Sequence, residues 1–175
     1  MNQDLKGTIR SIKDFPKPGI MFRDITTLLK DPKALEAAAK TLYVAAKNKG
    51  ITKVAGIESR GFILGGLISN MLGVGFVPIR KPGKLPAETI SETYSLEYGT
   101  DSIQIHKDAL DSGDKVLLHD DLLATGGTAK AACNLIEKLG AEVSQVSFII
   151  ELSFLNGRDK LKGYDIISLV DYDSE

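Results

Sequence analysis

Residues 116–129 read VLLHDDLLATGGTA, and the order of residue types in this stretch decides the fold. An apolar run, Val116-Leu117-Leu118, leads into two adjacent carboxylates, Asp120 and Asp121. Thr125-Gly126-Gly127-Thr128 comes next, followed at once by the helix-forming run from Ala129 to Leu139. The pattern predicts a strand, an acidic tip, a glycine turn and a helix start. Two glycines let the backbone turn tightly with its N–H groups pointing inward, and such a nest at a helix N-terminus suits an anion, most often phosphate. Asp120 and Asp121 would repel phosphate, but they suit sugar hydroxyls or a divalent metal. Hydroxyls beside a phosphate imply a phosphorylated ribose. The glycine turn alone also fits an ordinary strand-to-helix turn with solvated acids. Neither a GxxxxGK[ST] loop nor a GxGxxG fingerprint is present.

Working outward, apolar strands and amphipathic helices alternate. Asp31-Pro32 reads as an N-cap followed by proline in the first turn, and Leu35, Ala38, Ala39, Leu42, Ala45 and Ala46 then recur at helical spacing until Gly50. Lys53–Ile57 reads as a buried strand, Gly61–Leu72 as a helix stopped by Gly73, and Gly75–Ile79 as the next strand. The helix after the TGGT turn runs to about Leu139 and stops at Gly140, and Val143–Leu152 and Tyr164–Val170 supply two more strands. This alternation predicts a parallel α/β sheet, with ligands beyond the carboxyl ends of its strands, where Asp120 and Asp121 fall.

Two segments break the pattern. Residues 80–107 begin with a polar Pro/Gly stretch carrying Arg80, Lys81 and Lys84, then alternate apolar and polar around Gly99-Thr100-Asp101-Ser102. They read as a loop followed by a β-hairpin; the basic residues fit either a solvated patch or a lid over an anion. Phe15–Ile25, with Pro16, Pro18 and Gly19, reads as a fixed irregular segment rather than a sheet strand.

Composition sets the frame. With 175 residues the chain is expected to form one domain with a full core. Its 22 basic and 23 acidic residues leave a net charge of −1, so anion binding must come from local clusters and no nucleic-acid partner is expected. Cys133 is the one cysteine, which excludes an intrachain disulfide and predicts a small core residue in a reducing compartment. No apolar stretch suits a membrane span or a signal peptide, so the expected location is the cytoplasm. His119 is expected to be structural, His106 to lie at the surface, and the pair offers no metal-ligand spacing.

Asp120–Thr128 resembles the phosphoribosyl pyrophosphate (PRPP) motif of the type I phosphoribosyltransferase family, in the form found among its adenine-acting members. The likeness extends to Phe15–Ile25, to Glu58-Ser59-Arg60-Gly61-Phe62 and to Ser95-Leu96-Glu97-Tyr98-Gly99. It implies an α/β fold with a parallel-sheet core and helices on both faces. A small N-terminal hood would span about 1–30, and a flexible lid loop and hairpin about 80–107, within a single domain of residues 1–175. The implied reaction moves the 5-phosphoribosyl group of PRPP to N9 of adenine, giving AMP and pyrophosphate, a step of purine salvage.

The resemblance also distributes roles. Ala124, Thr125, Gly126, Gly127 and Thr128 would hold the 5-phosphate, and Asp120 and Asp121 the ribose hydroxyls. Ser59, Arg60, Arg80, Lys81 and Lys84 would meet the pyrophosphate, with Arg60 also beside the purine. Met21, Arg23 and Leu152 would contact adenine, and Glu97 would face N7, although the alternation alone fits Glu97 as the exposed half of a strand. Mg²⁺ would arrive bound mainly by PRPP, and the protein would be a homodimer. Met21 stands where the family more often has valine, and His119 where it has an apolar residue. Two other readings are compatible with a PRPP site: transfer to a 6-oxopurine or orotate, and a PRPP-sensing regulator that binds DNA. Ala124, where 6-oxopurine members carry aspartate, speaks against the first, and the lack of a basic recognition helix against the second.

Overall fold

The structure, a computed structural model, describes residues 4–95 and 99–174. In chain order its elements are β1 (Arg10–Lys13), β2 (Met21–Asp24), α1 (Thr26–Leu29), α2 (Pro32–Ala46), β3 (Lys53–Ile57), α3 (Gly61–Leu72) and β4 (Gly75–Ile79). There follow β5 (Thr89–Ser95), β6 (Thr100–His106), β7 (Lys115–Leu123), α4 (Gly127–Lys138), β8 (Glu142–Leu152) and β9 (Ile166–Tyr172). The main sheet is five-stranded, in the order β4-β3-β7-β8-β9, with every neighbouring pair parallel.

Alternation along β7 separates two cores. Val116 and Leu118 face one side with Ala129, Ala132, Cys133 and Ile136 of α4, whereas Leu117 faces the other with Ala38 and Leu42 of α2 and Leu64 and Ile68 of α3. Helices therefore cover both faces. Asp31 caps α2 as expected, its carboxylate accepting from the N–H groups of Lys33 and Ala34. Cys133 is fully buried, and burial pushes its thiol up to about 12, so it serves packing rather than nucleophilic chemistry.

Three expectations need correction. Met21–Asp24, inside the segment read as irregular, is a strand paired antiparallel with Arg10–Lys13. Prolines 16 and 18 occupy the connection between the two strands, where no ladder N–H is required of them. The hairpin at 89–106 starts at Thr89, earlier than its aromatic residues suggest, because Thr89 pairs with His106 and Ile90 with Ile105. Strand β7 continues past the acids to Leu123, since Leu122 and Leu123 still pair with Ile150 and Glu151.

The connections locate the site. From β3 the chain crosses over α3 to β4 on one side, and from β7 it crosses over α4 to β8 on the other. The direction of winding thus reverses between the neighbours β3 and β7, and ligands of open α/β sheets bind at such a reversal. Beside it His119 is fully buried, with Nδ1 2.9 Å from Ser147 Oγ and Nε2 without a protein partner among the described residues. Burial lowers its pKa to about 4 from the usual 6.5. The unfolded chain takes up this proton below pH 6.5 while the folded one resists it. Stability from His119 is therefore lost as pH falls from 6.5 towards 4, by up to about 3 kcal/mol. His119→Leu should flatten the acid limb of a plot of Tm against pH over that range; an unaltered limb would assign acid sensitivity elsewhere.

Candidate active site

A cleft of about 340 Å³ opens at the carboxyl ends of β3 and β7. Asp120, Asp121 and the whole turn Ala124–Thr128 line it, together with Glu58 and Arg60 from the β3–α3 connection and Lys81, Tyr94 and Asp101 from the loop and hairpin. Segments far apart in sequence thus meet around one concave surface, of the size small-molecule sites have.

The glycine turn is built by close packing. Gly126, at φ 77°, is the N-cap residue of α4, and a Cβ on it would lie 2.4 Å from Gly157 O. A Cβ on Gly157 would lie 2.2 Å from Ala124 O. The turn and the Gly157 backbone therefore interlock, and only glycine fits at either place. Gly61 does the same at the other wall: its Cβ would meet His119 O at 2.9 Å and Asp120 Cα at 3.2 Å. That contact seats the start of α3 directly on the acidic end of β7.

The two acids have different surroundings. Asp121 is 7% exposed and its Oδ2 accepts from Arg60 Nε, so its charge is balanced. Asp120 receives the Asp121 backbone N–H at Oδ1, 2.8 Å away. Burial, and then the charge of Asp121, hold the Asp120 carboxyl well above the usual carboxylate range, with Arg60 opposing. Without a ligand Asp120 is thus an underpartnered acid, suited to strong hydrogen bonds from hydroxyl groups.

The cations come paired. Glu58 Oε2 accepts from Arg80 Nε and from the Lys81 backbone N–H, each at 2.9 Å, and so ties the 80–81 loop to the end of β3. Arg80 also forms a two-way backbone bridge with Gln104. Lys81 reaches Asp101 at 2.7 Å. Lys84 is exposed, its carbonyl accepting from Arg80 Nη1, and Ser59 is exposed; of the five residues expected at the pyrophosphate, Arg60 and Lys81 line the cleft, and Ser59, Arg80 and Lys84 do not.

Arg60 links the cleft to the N-terminal hairpin, for its guanidinium sits 5.9 Å from the Phe22 ring centroid. On either side of Phe22, Met21 is half-buried and Arg23 stacks on the Tyr172 ring at 3.9 Å while donating to Ser11 Oγ at 2.6 Å. Leu152 pairs with Tyr172 in the β8–β9 register, and Met21, Arg23 and Leu152 all lie outside the cleft lining itself. Glu97 lies outside the described residues, between the paired ends Ser95 and Thr100 of the hairpin.

Several participants escaped the sequence reading. Asn156-Gly157 carried a turn cue, but nothing marked Gly157 as the partner of the TGGT turn. Asp101 reads as hairpin-turn chemistry and Tyr94 as one aromatic of an alternating strand, while Glu58 opens the matched ESRGF segment without a role of its own. All three face the cleft. Among the described residues no group of three or more His, Cys, Asp or Glu could hold a metal.

Known proteins share this architecture. The family described as phosphoribosyl transferase domain matches residues 24–169. Adenine phosphoribosyltransferase of Christiangramia forsetii is 55% identical over 169 residues, covering 97% of this chain and 99% of the relative. The crystal structure of adenine phosphoribosyltransferase from Thermoanaerobacter pseudethanolicus superposes with a TM-score of 0.94 at 54% identity, covering 97% of this chain and 98% of that one. That of the Saccharomyces cerevisiae enzyme, complexed with adenine and an imino-altritol bisphosphate, gives a TM-score of 0.91 at 38% identity over 95% and 97% of the two chains.

Proposed function

Since the chain belongs to the phosphoribosyltransferase family, among its adenine phosphoribosyltransferases, we propose how its own residues divide the work of the reaction. The enzyme transfers the 5-phosphoribosyl group of PRPP to N9 of adenine, giving AMP and pyrophosphate. The bond from C1′ to the pyrophosphate oxygen breaks and the bond from C1′ to N9 forms. N9 loses its proton. Positive charge grows on the ribose and negative charge on the leaving group, so catalysis is mainly positioning and electrostatics.

The observation that carries the assignment of roles is the junction of the interlocked turn 124–128 with the acids of β7 at the reversal point of the sheet. Backbone N–H groups of Ala124–Thr128, with the hydroxyls of Thr125 and Thr128, hold the 5-phosphate at the start of α4. Asp120 takes the ribose hydroxyls; Asp121 orients Arg60, which faces both pyrophosphate and base. Ser59, Arg80, Lys81 and Lys84 complete the pyrophosphate side. Met21 and Arg23 offer adenine mostly backbone groups, an acceptor for N6 and a donor for N1, opposite Leu152. Glu97 hydrogen bonds at N7 and helps manage the proton released from N9.

The donor set suits Mg²⁺ that arrives with PRPP: Asp120 is the one carboxyl of the pair without an arginine partner, and Mg²⁺ is commonly held by one or two carboxylates plus substrate phosphates. When bound, the ion offsets charge on the departing pyrophosphate. The reading places residues 1–175 in one domain working as a cytoplasmic homodimer. Ile63 and Leu67, 43% and 38% exposed and one turn apart on α3, are apolar surface for a second copy to cover, which a sedimentation mass would test.

Initial rates with PRPP, Mg²⁺ and a panel of adenine, hypoxanthine, guanine, xanthine and orotate test the assignment. Turnover confined to adenine is expected, and the same assay on Glu97→Gln should show a fall of at least about 10-fold with a changed pH profile. Turnover of a 6-oxopurine would overturn the base assignment, and an unchanged Glu97→Gln profile would remove Glu97 from the chemistry.

A further inference from the structure

A carboxylate facing the place of a pyrophosphate calls for an explanation, and Asp101 is such a group. It lines the cleft beside Lys81, whose Nζ lies 2.7 Å from Asp101 Oδ2. The same carboxylate accepts from the Tyr94 hydroxyl at 3.3 Å and, at Oδ1, from the Ser102 backbone N–H at 2.8 Å. Its side chain is 26% exposed, against 55% for Lys81. Three partners thus fix the acid, whereas the lysine is the more exposed of the two and sits on a flexible stem.

Tyr94 is itself anchored. A Cβ on Gly127 would lie 3.5 Å from Tyr94 Cδ2, so the ring rests on the start of α4. The Lys81 backbone is pinned through its N–H to Glu58, which leaves only the side chain to swing. Fold stability does not account for the pair, since exposed ion pairs contribute about 1 kcal/mol or less. Lys81 first of all holds the Asp101 carboxyl below its ordinary value, so the group is charged throughout the neutral range.

We propose that Asp101 is a positioning residue that competes with pyrophosphate for Lys81. In the free protein it keeps the lysine over the cleft. During turnover it limits how tightly pyrophosphate is held, both as part of PRPP and as product. The inference rests on the reading of Lys81 given under Proposed function. No bond is made or broken in this exchange; Lys81 passes from one anionic partner to another.

The test uses the full chain and Mg²⁺-pyrophosphate as titrant in a calorimeter. Asp101→Asn should bind pyrophosphate about 2- to 5-fold more tightly, the range that an ion pair of up to about 1 kcal/mol allows. The KM for PRPP should fall in step and the KM for adenine should stay unchanged. Asp101→Glu, which restores the charge, should return both towards the wild type. In a Lys81→Met background the effect of Asp101→Asn should vanish. Weaker or unchanged pyrophosphate binding in Asp101→Asn would overturn the proposal, as would the same gain without Lys81. If Asp101→Asn melts before assay temperature, Asp101→Ser carries the same test. Wild-type protein that makes no AMP from adenine and PRPP would sink the functional reading, whereas wild-type turnover with no shift in the variant sinks this inference alone.

Discussion

Gly126→Ala is expected to lower kcat/KM by about 100-fold, chiefly through weaker use of PRPP. Two effects combine. The residue sits at φ 77°, where a side chain costs about 1–2 kcal/mol. Its Cβ would also stand 2.4 Å from the Gly157 carbonyl oxygen, and both partners are backbone. No rotamer change relieves that clash, so the turn or the 157 segment must move. Displacement of a phosphate-holding turn by about 1 Å is enough for a loss near 100-fold. Gly157→Ala should act alike, because its Cβ would stand 2.2 Å from Ala124 O. Steady-state kinetics with PRPP and adenine varied in turn would check this. Wild-type kinetics in either variant would mean that the interlock does not shape the phosphate site.

The second large effect concerns the adjacent acids, which should respond to amide substitution with opposite signs in stability. Asp120 has a raised pKa, from burial and from the charge of Asp121. The folded protein therefore holds that proton more firmly than the unfolded chain, and stability falls as pH rises from the usual carboxylate range towards the raised value. Asp120→Asn removes this loss and keeps an acceptor for the Asp121 N–H. Ligand-free protein at neutral pH should melt higher, by about 2–4 °C per kcal/mol regained. Turnover should meanwhile fall about 10- to 100-fold, as the proposed role of Asp120 as a charged hydrogen-bond partner of the ribose requires. Asp121→Asn, by contrast, strands Arg60 and should lower Tm. Melting curves and initial rates on both variants decide the matter. A lowered Tm in Asp120→Asn would show that the carboxylate is stabilised in the free protein, against the account.

How much of this was legible in the sequence depends on which forces set each feature. The sheet core was, because Val116–Leu118 and, past Lys53, the strand Lys53–Ile57 are buried on both faces, Val77 and Ile79 are buried in Gly75–Ile79, and all three read as apolar runs. The TGGT turn and the acids before it were legible because their chemistry is local. Strand β2 was not: it is four residues long, lacks alternation and follows two prolines, so only its pairing with Arg10–Lys13 makes it a strand. The start of β5 was hidden by Ser91 and Thr93, whose polarity suits an exposed hairpin face, and by Glu92, whose partners Asn134 and Lys138 on α4 are far away in sequence. The contacts of Gly61 and Gly157 arise where segments distant in sequence touch, and no local pattern encodes them. The pairing of Lys81 with Asp101 joins a loop to a hairpin in the same way. Sequence thus supplied the turn and the acids that line the cleft, and tertiary structure supplied the electrostatic partners around them.

An amide NMR titration of the full chain with AMP should move two groups of signals most, the N–H signals of Ala124–Thr128 at the proposed phosphate end and those of Met21–Arg23 at the proposed base end. Shifts concentrated elsewhere, with 124–128 unmoved, would contradict the assignment of both ends.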